Sequence, residues 1–344
     1  MTTPHSEATP SPDGAGQTSS GPGPDEEQLR AVAEAARWAP SIHNSQPWRL
    51  RPVGDGLAIV EDLSRAVPII DPVGRDRVIS CGAALLNARV ALRGLGFGPR
   101  VSVLPEPGEP TLIGVVRAGH RQDPTPDDAR LAAAIPLRHT HRRIYRSHAV
   151  AEEDLLDLRQ AVTAEGARLS VADAQARRRL AHVLRRAVRE QAADPELRQE
   201  VEHWVRRGSK SMDTHLVDGI PSSALGTSPF PVDSVVHAGH HGAPEASELE
   251  DELARSTVLT ISTASDTRHD WVVAGMALER LLLAATTRGL VATFTDQALQ
   301  VPQLRPEVAD VLGIWGEPQV LLRVGRALVD APLTPRRTLD DLFE

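Results

Sequence analysis

The chain has 344 residues, 41% of them hydrophobic, which is enough for one large domain or two smaller ones with cores of their own. With a formal net charge of −8, bulk attraction to nucleic acid or to an anionic membrane is not expected. The single cysteine, Cys81, excludes an internal disulfide, and the absence of a signal-peptide pattern or an apolar run of membrane length predicts a cytoplasmic protein.

The first predicted elements follow a tail with almost no apolar residues. Residues 1–24 are mostly Pro, Gly, Ser and Thr, a composition that predicts disorder. Asp25 is placed to cap a helix that extends to about Trp38. Residues 48–62 (WRLRPVGDGLAIVED) alternate around a Gly-Asp-Gly turn, which predicts a β-hairpin. The next predicted elements are a helix near 75–95 and strands near 100–104 and 111–117.

A second series of elements begins after residue 135. It comprises a helix at 151–165, a strand at 168–172, helices near 174–206, a strand at 256–263, a helix at 269–288 and a strand near 318–325. Residues 208–250 interrupt this series with Gly, Ser, Pro and His and little periodicity. A loop of that length inside a compact domain is typical of a lid or of a disordered segment.

The two series resemble each other. Residues 82–97 and 275–290 align without a gap, which places Gly82 on Gly275 and Gly96 on Gly289. Chance similarity is the alternative, because Ala/Leu-rich helices that end in Gly are common. The shared order of elements favours a duplicated unit, so that one chain could imitate a homodimer.

Two arginine-rich segments could bind an anion. In residues 138–143 (RHTHRR), an extended backbone would place Arg138, Thr140 and Arg142 on one side. Two guanidinium groups that flank a hydroxyl suit a phosphate monoester. Arg336 and Arg337 form a second basic pair, which a duplicated fold would place alongside the first segment. The alternatives are a solvated basic stripe for the first segment and a solvated C-terminal tail for the second.

An amide-rich loop, residues 40–48 (PSIHNSQPW), follows the first helix. Pro40 stops that helix, and Ser41 and Asn44 can hold a tight turn. The Asn44 amide offers one donor and one acceptor, which match the pyrimidine edge of a flavin ring. The alternative is an Asx-type turn of purely structural role, after which Trp48 would begin a core strand.

Together these motifs resemble the FMN-dependent nitroreductase superfamily, and in particular its Acg-type branch. The resemblance is carried by PSxxNxQPW, by the Arg-x-Thr-x-Arg element and by segments such as ISCGAALLNARVALRGLGF and DTRHDWVVAGMALERLLLAATTRGL, across about residues 25–344. It implies an α+β fold of two intertwined halves, each with a mixed, mainly antiparallel sheet flanked by helices. The halves would be residues 25–135 and 136–344, with a lid at about 208–250.

The resemblance also implies FMN as the cofactor. One site per chain is expected, because only the first half has the PSxxN loop and only the second has the RHTHR element. The loop would cover the ring, Arg138 and Thr140 would bind the phosphate and ribityl chain, and Arg142 would lie nearer the ring. The implied cofactor-binding residues are Pro40, Ser41, Ile42, Asn44, Arg138, Thr140, Arg142, Thr293, Phe294, Thr295, Arg336 and Arg337, the three at 293–295 through backbone N–H groups near flavin N5.

The implied activity is hydride transfer from NAD(P)H through FMN to a small acceptor, such as a quinone or a nitro compound. The chain would act as a monomeric pseudo-dimer, with no catalytic side chain, metal, nucleic-acid or membrane partner required. The main alternative is a protein that stores FMN without turnover beneath the predicted lid. A third hypothesis, azoline dehydrogenation, would need a peptide-recognition region that the sequence does not reveal.

Overall fold

The computed structural model describes residues 23–206, 217–225 and 243–344. The predicted disordered tail, apart from residues 23 and 24, lies outside the described residues. So does most of the predicted lid at 208–250.

The first half of the chain forms a four-stranded antiparallel sheet beside a long helix. Its elements are α1 (Glu26–Arg37), β1 (Trp48–Val53), β2 (Gly56–Glu61), α2 (Arg75–Gly94), β3 (Arg100–Val103), β4 (Leu112–Arg117) and α3 (Pro126–Ala134). The strand order is β1-β2-β4-β3. Asp25 caps α1 through a capping box with Gln28, and β1 and β2 form the predicted hairpin.

The second half repeats this arrangement with insertions. Its elements are α4 (Glu152–Thr163), β5 (Arg168–Val171), α5 (Ala174–Ala193), α6 (Pro195–Trp204), β6 (Val205–Arg206), β7 (Ile220–Pro221), α7 (Ala246–Ala254), β8 (Thr257–Thr263), α8 (Arg268–Thr287), β9 (Val291–Phe294), α9 (Arg305–Leu312), β10 (Glu317–Gly325) and α10 (Leu339–Leu342). The strand order is β5-β8-β10-β9, which matches the first sheet. In each sheet, the strand that comes fourth along the chain lies between the strands that come second and third. Because α7 begins at Ala246, the irregular interval is shorter than its composition predicts.

Helices α2 and α8 pack against each other through the two glycines that the internal repeat aligns. A Cβ atom on Gly82 would lie 2.5 Å from the carbonyl oxygen of Val272, and one on Gly275 would lie 2.1 Å from that of Ile79. The same ungapped alignment pairs Ile79 with Val272, so the contact is reciprocal, as in an interface with two-fold symmetry. A duplicated unit predicts this contact.

The two halves are intertwined, as expected for the predicted α+β fold. Ile79 of α2 is buried in the core of the second half, whereas Val272 and Met276 of α8 are buried in that of the first. The C-terminal helix also returns to the first half, where Leu342 is buried and Phe343 pairs with Leu50 of β1. No helix among the described residues is long and apolar enough to cross a membrane.

Cys81 lies fully buried on α2, with its Sγ atom 3.2 Å from the carbonyl oxygen of Pro47. Burial raises the pKa of its thiol well above the usual value, so little thiolate is present at neutral pH. We expect a thiol reagent such as dithiobisnitrobenzoate to modify no cysteine in the native protein and one per chain in denaturant. Equal modification rates in the two conditions would contradict this expectation.

Candidate functional site

The loop after α1 has an unusual backbone. His43, Asn44 and Gln46 have φ angles of 48°, 57° and 50°, in the left-handed region that side chains with a Cβ disfavour. Each such residue costs about 1–3 kcal/mol, and such strain persists only where surrounding contacts impose it. Here Ser41 Oγ accepts a hydrogen bond from the Gln46 backbone N–H at 2.9 Å. Strain of this kind clusters at functional sites.

Asn44 joins three distant parts of the chain. Its Nδ2 donates to the carbonyl oxygens of Gly219 and Pro335, both at 2.9 Å, and its Oδ1 accepts from Arg336 Nη1 at 2.9 Å. Trp48 is fully buried at the start of β1. The Asn44 side chain therefore connects the loop to two distant segments and orients Arg336.

Three arginines converge beside the end of α1, and we call them the arginine cluster: Arg138, Arg142 and Arg336. Arg138 Nη2 donates to the Trp38 carbonyl oxygen at 3.2 Å, and Arg336 Nη2 lies 3.4 Å from that oxygen and from the Ala39 oxygen. Carbonyl groups at a helix C-terminus lack partners within the helix and attract cations. The C-terminus of α1 therefore helps to hold two of the three arginines.

The segment that carries Arg138 and Arg142 is fixed along the edge strand β9. The His141 backbone N–H donates to the Ala292 carbonyl oxygen at 2.8 Å, and Thr140 forms a parallel bridge with Ala292. Arg138 and Arg142 are 3% and 8% exposed, so neither belongs to a solvated basic stripe.

The arginine cluster has more positive than negative charge. Glu279 of α8 is fully buried, with Oε1 3.6 Å from Arg138 Nε. Burial, and then repulsion from Arg138, lower the pKa of Arg142 to about 10 and that of Arg336 to about 9. Burial raises the pKa of Glu279 to about 7, so its negative charge is only partly present at neutral pH. A further anion would stabilise the cluster.

Several N–H groups of the arginine cluster have no hydrogen-bond partner within the described residues. They are Nε of Arg138, Nε and Nη1 of Arg142 and Nε of Arg336. A buried donor without a partner costs about 1–3 kcal/mol, more when it is charged. A phosphate group, with several acceptor oxygens and close to two negative charges, matches these donors.

Arg142 also lies in the wall of a cleft that residues of both halves line. The cleft has about 850 Å³ of empty space, part of it open to solvent. Its apolar walls include Ile42, Ile70, Ile79, Val201, Leu278, Phe294 and Val320.

Comparison with known proteins assigns the chain to a family. The model of the nitroreductase family matches residues 19–67 and 136–326, which is more than half of the chain. The chain belongs to the nitroreductase family.

Two relatives support the family assignment, and one solved structure is reported with them. Rv3131 of Mycobacterium tuberculosis, provisionally named an NAD(P)H nitroreductase, is 33% identical over 330 residues, 93% of this chain and 92% of its own length. The acg protein of the same organism, provisionally named likewise, is 30% identical over 322 residues, 92% of this chain and 95% of its own. A nitroreductase with bound FMN from Bacteroides fragilis is 15% identical, with a TM-score of 0.38, and the match covers 60% of this chain and 94% of that one.

The structure places the predicted site residues of this nitroreductase in three groups. Pro40, Ser41, Ile42, Arg142 and Phe294 line the cleft. Arg138 and Arg336 belong to the arginine cluster, and Asn44 is hydrogen-bonded to Arg336. Thr140, Thr293, Thr295 and Arg337 form contacts within the second sheet or with the C-terminal helix.

Strand pairing and the C-terminal helix engage these four residues. Thr140 and Thr293 pair with Ala292 and Arg323 in the second sheet. The backbone N–H of Thr295 donates to the Leu321 carbonyl oxygen at 2.9 Å, so it is not available to a flavin N5. Arg337 Nη2 donates to the Asp341 carbonyl oxygen at 2.6 Å. The Arg337 side chain therefore binds α10 and does not line the cleft.

The cleft also contains residues that were not among the predicted site residues. His43 lies inside the PSIHN motif, and burial lowers its pKa to about 4, so it is neutral at pH 7. Asp76, Gln191, Asp296, Gln297, Gln300 and Gln319 come from distant segments. No shared motif or spacing links them, and only the packing of the two halves brings them to one cleft.

Proposed function

We propose that this chain binds FMN and transfers hydride from NAD(P)H, through the flavin, to a small acceptor such as a quinone or a nitro compound. The observation that carries the proposal is the arginine cluster, with its unpartnered N–H groups, beside an apolar cleft. Membership in the nitroreductase family supports the same assignment, because nitroreductases use FMN as their cofactor.

The residues fit FMN at both ends of the molecule. Arg138, Arg142 and Arg336 would bind the phosphate, and apolar side chains such as Ile42 and Phe294 would contact the ring. When bound, FMN supplies the hydride chemistry, whereas the protein binds, orients and controls access. Asn44 would contribute indirectly, because its Oδ1 holds Arg336 in place.

The single-chain arrangement accounts for one site per chain. The PSIHN loop comes from the first half, and Arg138 and Arg142 come from the second. The strained loop has no counterpart in the sequence after α4, and the first half has no Arg-x-Thr-x-Arg element. The relatives Rv3131 and acg are provisionally named NAD(P)H nitroreductases, which supports a nicotinamide as the hydride donor.

Storage of FMN without turnover is the second candidate function. Described residues 217–225 lie against the PSIHN loop, since the Gly219 N–H donates to the Asn44 carbonyl oxygen at 3.3 Å and Arg65 pairs with Asp218. Leu225 packs with Ile42 against the apolar cluster that includes Ile70 and Val201. A segment in this position would restrict the approach of nicotinamide to the cleft, as the predicted lid would.

We expect the purified protein to be yellow, with about one FMN per chain after reconstitution and removal of unbound flavin. Anaerobic NADH or NADPH should bleach the visible absorbance of the flavin, and menadione, a quinone, should restore it. Bleaching by dithionite but by neither nicotinamide would favour storage. Two flavins per chain, or none, would contradict the single composite site.

A further inference from the structure

A second group of polar side chains lines the same cleft. Asp76 comes from the first turn of α2, and Asp296 from the short helical turn that follows β9. Both line the cleft, together with the amides of Gln191 and Gln297. The carboxyl pair is therefore assembled from the two halves of the chain.

The two carboxyl groups have different hydrogen bonds. Asp76 Oδ1 accepts from Arg75 Nε and Nη2 at 3.1 and 2.8 Å, and its Oδ2 accepts from Gln300 Nε2 at 3.0 Å. Asp296 Oδ1 accepts the Leu321 backbone N–H at 2.6 Å, whereas no hydrogen bond within the described ranges reaches its Oδ2. Both oxygens of Asp76 thus accept hydrogen bonds, whereas Oδ2 of Asp296 is the carboxyl oxygen on which a proton can be held and offered to a ligand.

The charges around Asp296 agree with this assignment. Burial, and then repulsion from Asp76, raise the pKa of Asp296 to about 8, against the opposing effects of the Leu321 N–H and the Arg75 charge. The other titratable groups that face this part of the cleft are His43 and Arg142, and Asp71 lies behind Asp76. His43 is neutral at pH 7, so it provides no positive charge that would draw the proton away.

Two buried amide oxygens in this part of the cleft are available to accept hydrogen bonds from a ligand. Oε1 of Gln191 and Oε1 of Gln297 have no hydrogen-bond partner among the described residues, although the two side chains are only 4% and 8% exposed. A buried amide oxygen of this kind calls for a donor, which a bound molecule can provide. The carboxyl pair and these amides therefore share one ligand space.

We infer that Asp296 is the proton donor of this cleft, and that Asp76 is the residue that positions the proton on it. The inference rests on the proposed function. A quinone that becomes a hydroquinone takes up one hydride and one proton. The hydride comes from NAD(P)H by way of the cofactor. The proton leaves Asp296 Oδ2 to form the new O–H bond, and the carboxylate that remains takes a proton from solvent at the open side of the cleft.

The first test measures the proton itself and needs no turnover. A carboxyl group with a pKa near 8 in the folded state and near 4 when unfolded keeps its proton only in the folded state between those pH values. The contribution of Asp296 to the stability of the wild-type protein should therefore fall as the pH rises from 5 to 8. Asp296→Asn keeps an acceptor for the Leu321 N–H but cannot ionise. Urea unfolding of the FMN-loaded proteins measures the effect. The variant should gain stability relative to the wild type as the pH rises over that range.

The second test measures proton delivery. The FMN-loaded protein is reduced anaerobically with dithionite, freed of excess reductant and mixed with menadione, and flavin absorbance reports the rate of reoxidation. General acid catalysis contributes about 10²–10⁴-fold, so Asp296→Asn should slow reoxidation at pH 7 by about a hundredfold or more. The wild-type rate should fall above about pH 8. Asp76→Asn should move that fall to lower pH, because it removes the repulsion that holds the proton on Asp296.

A matched control is Asp251→Asn, which changes an exposed aspartate on α7 and should alter neither measurement. Parallel stability profiles for wild type and Asp296→Asn would show that Asp296 does not hold the proton. A stability difference with unchanged reoxidation, or no reoxidation of wild type at any pH, would overturn the donor role. Because dithionite bypasses the nicotinamide, a failure of NAD(P)H to reduce the flavin is a separate result that bears on the proposed function alone.

Discussion

Arg142→Ala should weaken FMN binding by about ten- to a hundredfold. Hydrogen bonds to a charged group contribute about 1.5–3 kcal/mol, and each 1.4 kcal/mol corresponds to about a factor of ten in dissociation constant. Two N–H groups of Arg142 have no partner within the described residues, and its side chain reaches the cleft wall. Arg138, by contrast, already contacts Glu279 and the Trp38 carbonyl oxygen. We therefore expect Arg142 to have the most donor capacity available for a phosphate.

Fluorescence titration of the apoprotein with FMN and with riboflavin measures this effect. Riboflavin lacks the phosphate, so its affinity should change much less in Arg142→Ala. Arg143→Ala is the matched control, since the guanidinium of the neighbouring Arg143 donates to the carbonyl oxygens of Asp330 and Ser223. Equal losses for the two flavins would mean that Arg142 does not recognise the phosphate.

Gly275→Ala should lower the free energy of unfolding by about 3 kcal/mol, at the upper end of the usual cost of overpacking a core. The new methyl group would lie 2.1 Å from the Ile79 carbonyl oxygen and 3.0 Å from the Gly82 Cα atom. Both are backbone atoms of α2, so no side-chain rotation can relieve the contact. The two helices would have to move apart, and the cleft that residues of both halves line would change with them.

Urea unfolding of the substituted proteins measures this loss of stability. Gly108→Ala is the control, because Gly108 has no atom within 4 Å of an added Cβ and does not have a positive φ. That substitution should change stability by less than about 0.5 kcal/mol, as is usual for surface positions. If Gly275→Ala unfolded at the same urea concentration as the wild type, α2 and α8 could not pack as closely as described.

The main helices and strands could be predicted from the sequence because their signals are local. Asp25 caps α1 with its own side chain, Gly94 and Gly96 end α2, and the Gly-Asp-Gly turn joins β1 to β2. The repeat was also visible, because duplication preserves the order of elements and the glycines at their closest contact. The family motif also associates the PSIHN loop with Arg138 and Arg142.

The contacts of the site residues could not be predicted in the same way. Nothing local to Arg337 distinguishes it from Arg336, yet only the latter joins the arginine cluster, whereas Arg337 holds α10. The left-handed backbone of Gln46 has no sequence signal either, because glutamine does not favour that region. The loop is held in that conformation by hydrogen bonds within it and by residues that are far away in the chain.

By itself, the sequence determined the elements, their repeated order and the family, because caps, periodicity and motifs act over a few residues. The tertiary structure alone decided which donors lack partners and which carboxyl groups meet. Asp76 and Asp296 come from opposite halves, and their mutual repulsion exists only where α2 and the end of β9 face one cleft. Burial and charge at such a site depend on distances through space, which the order of residues along the chain does not specify.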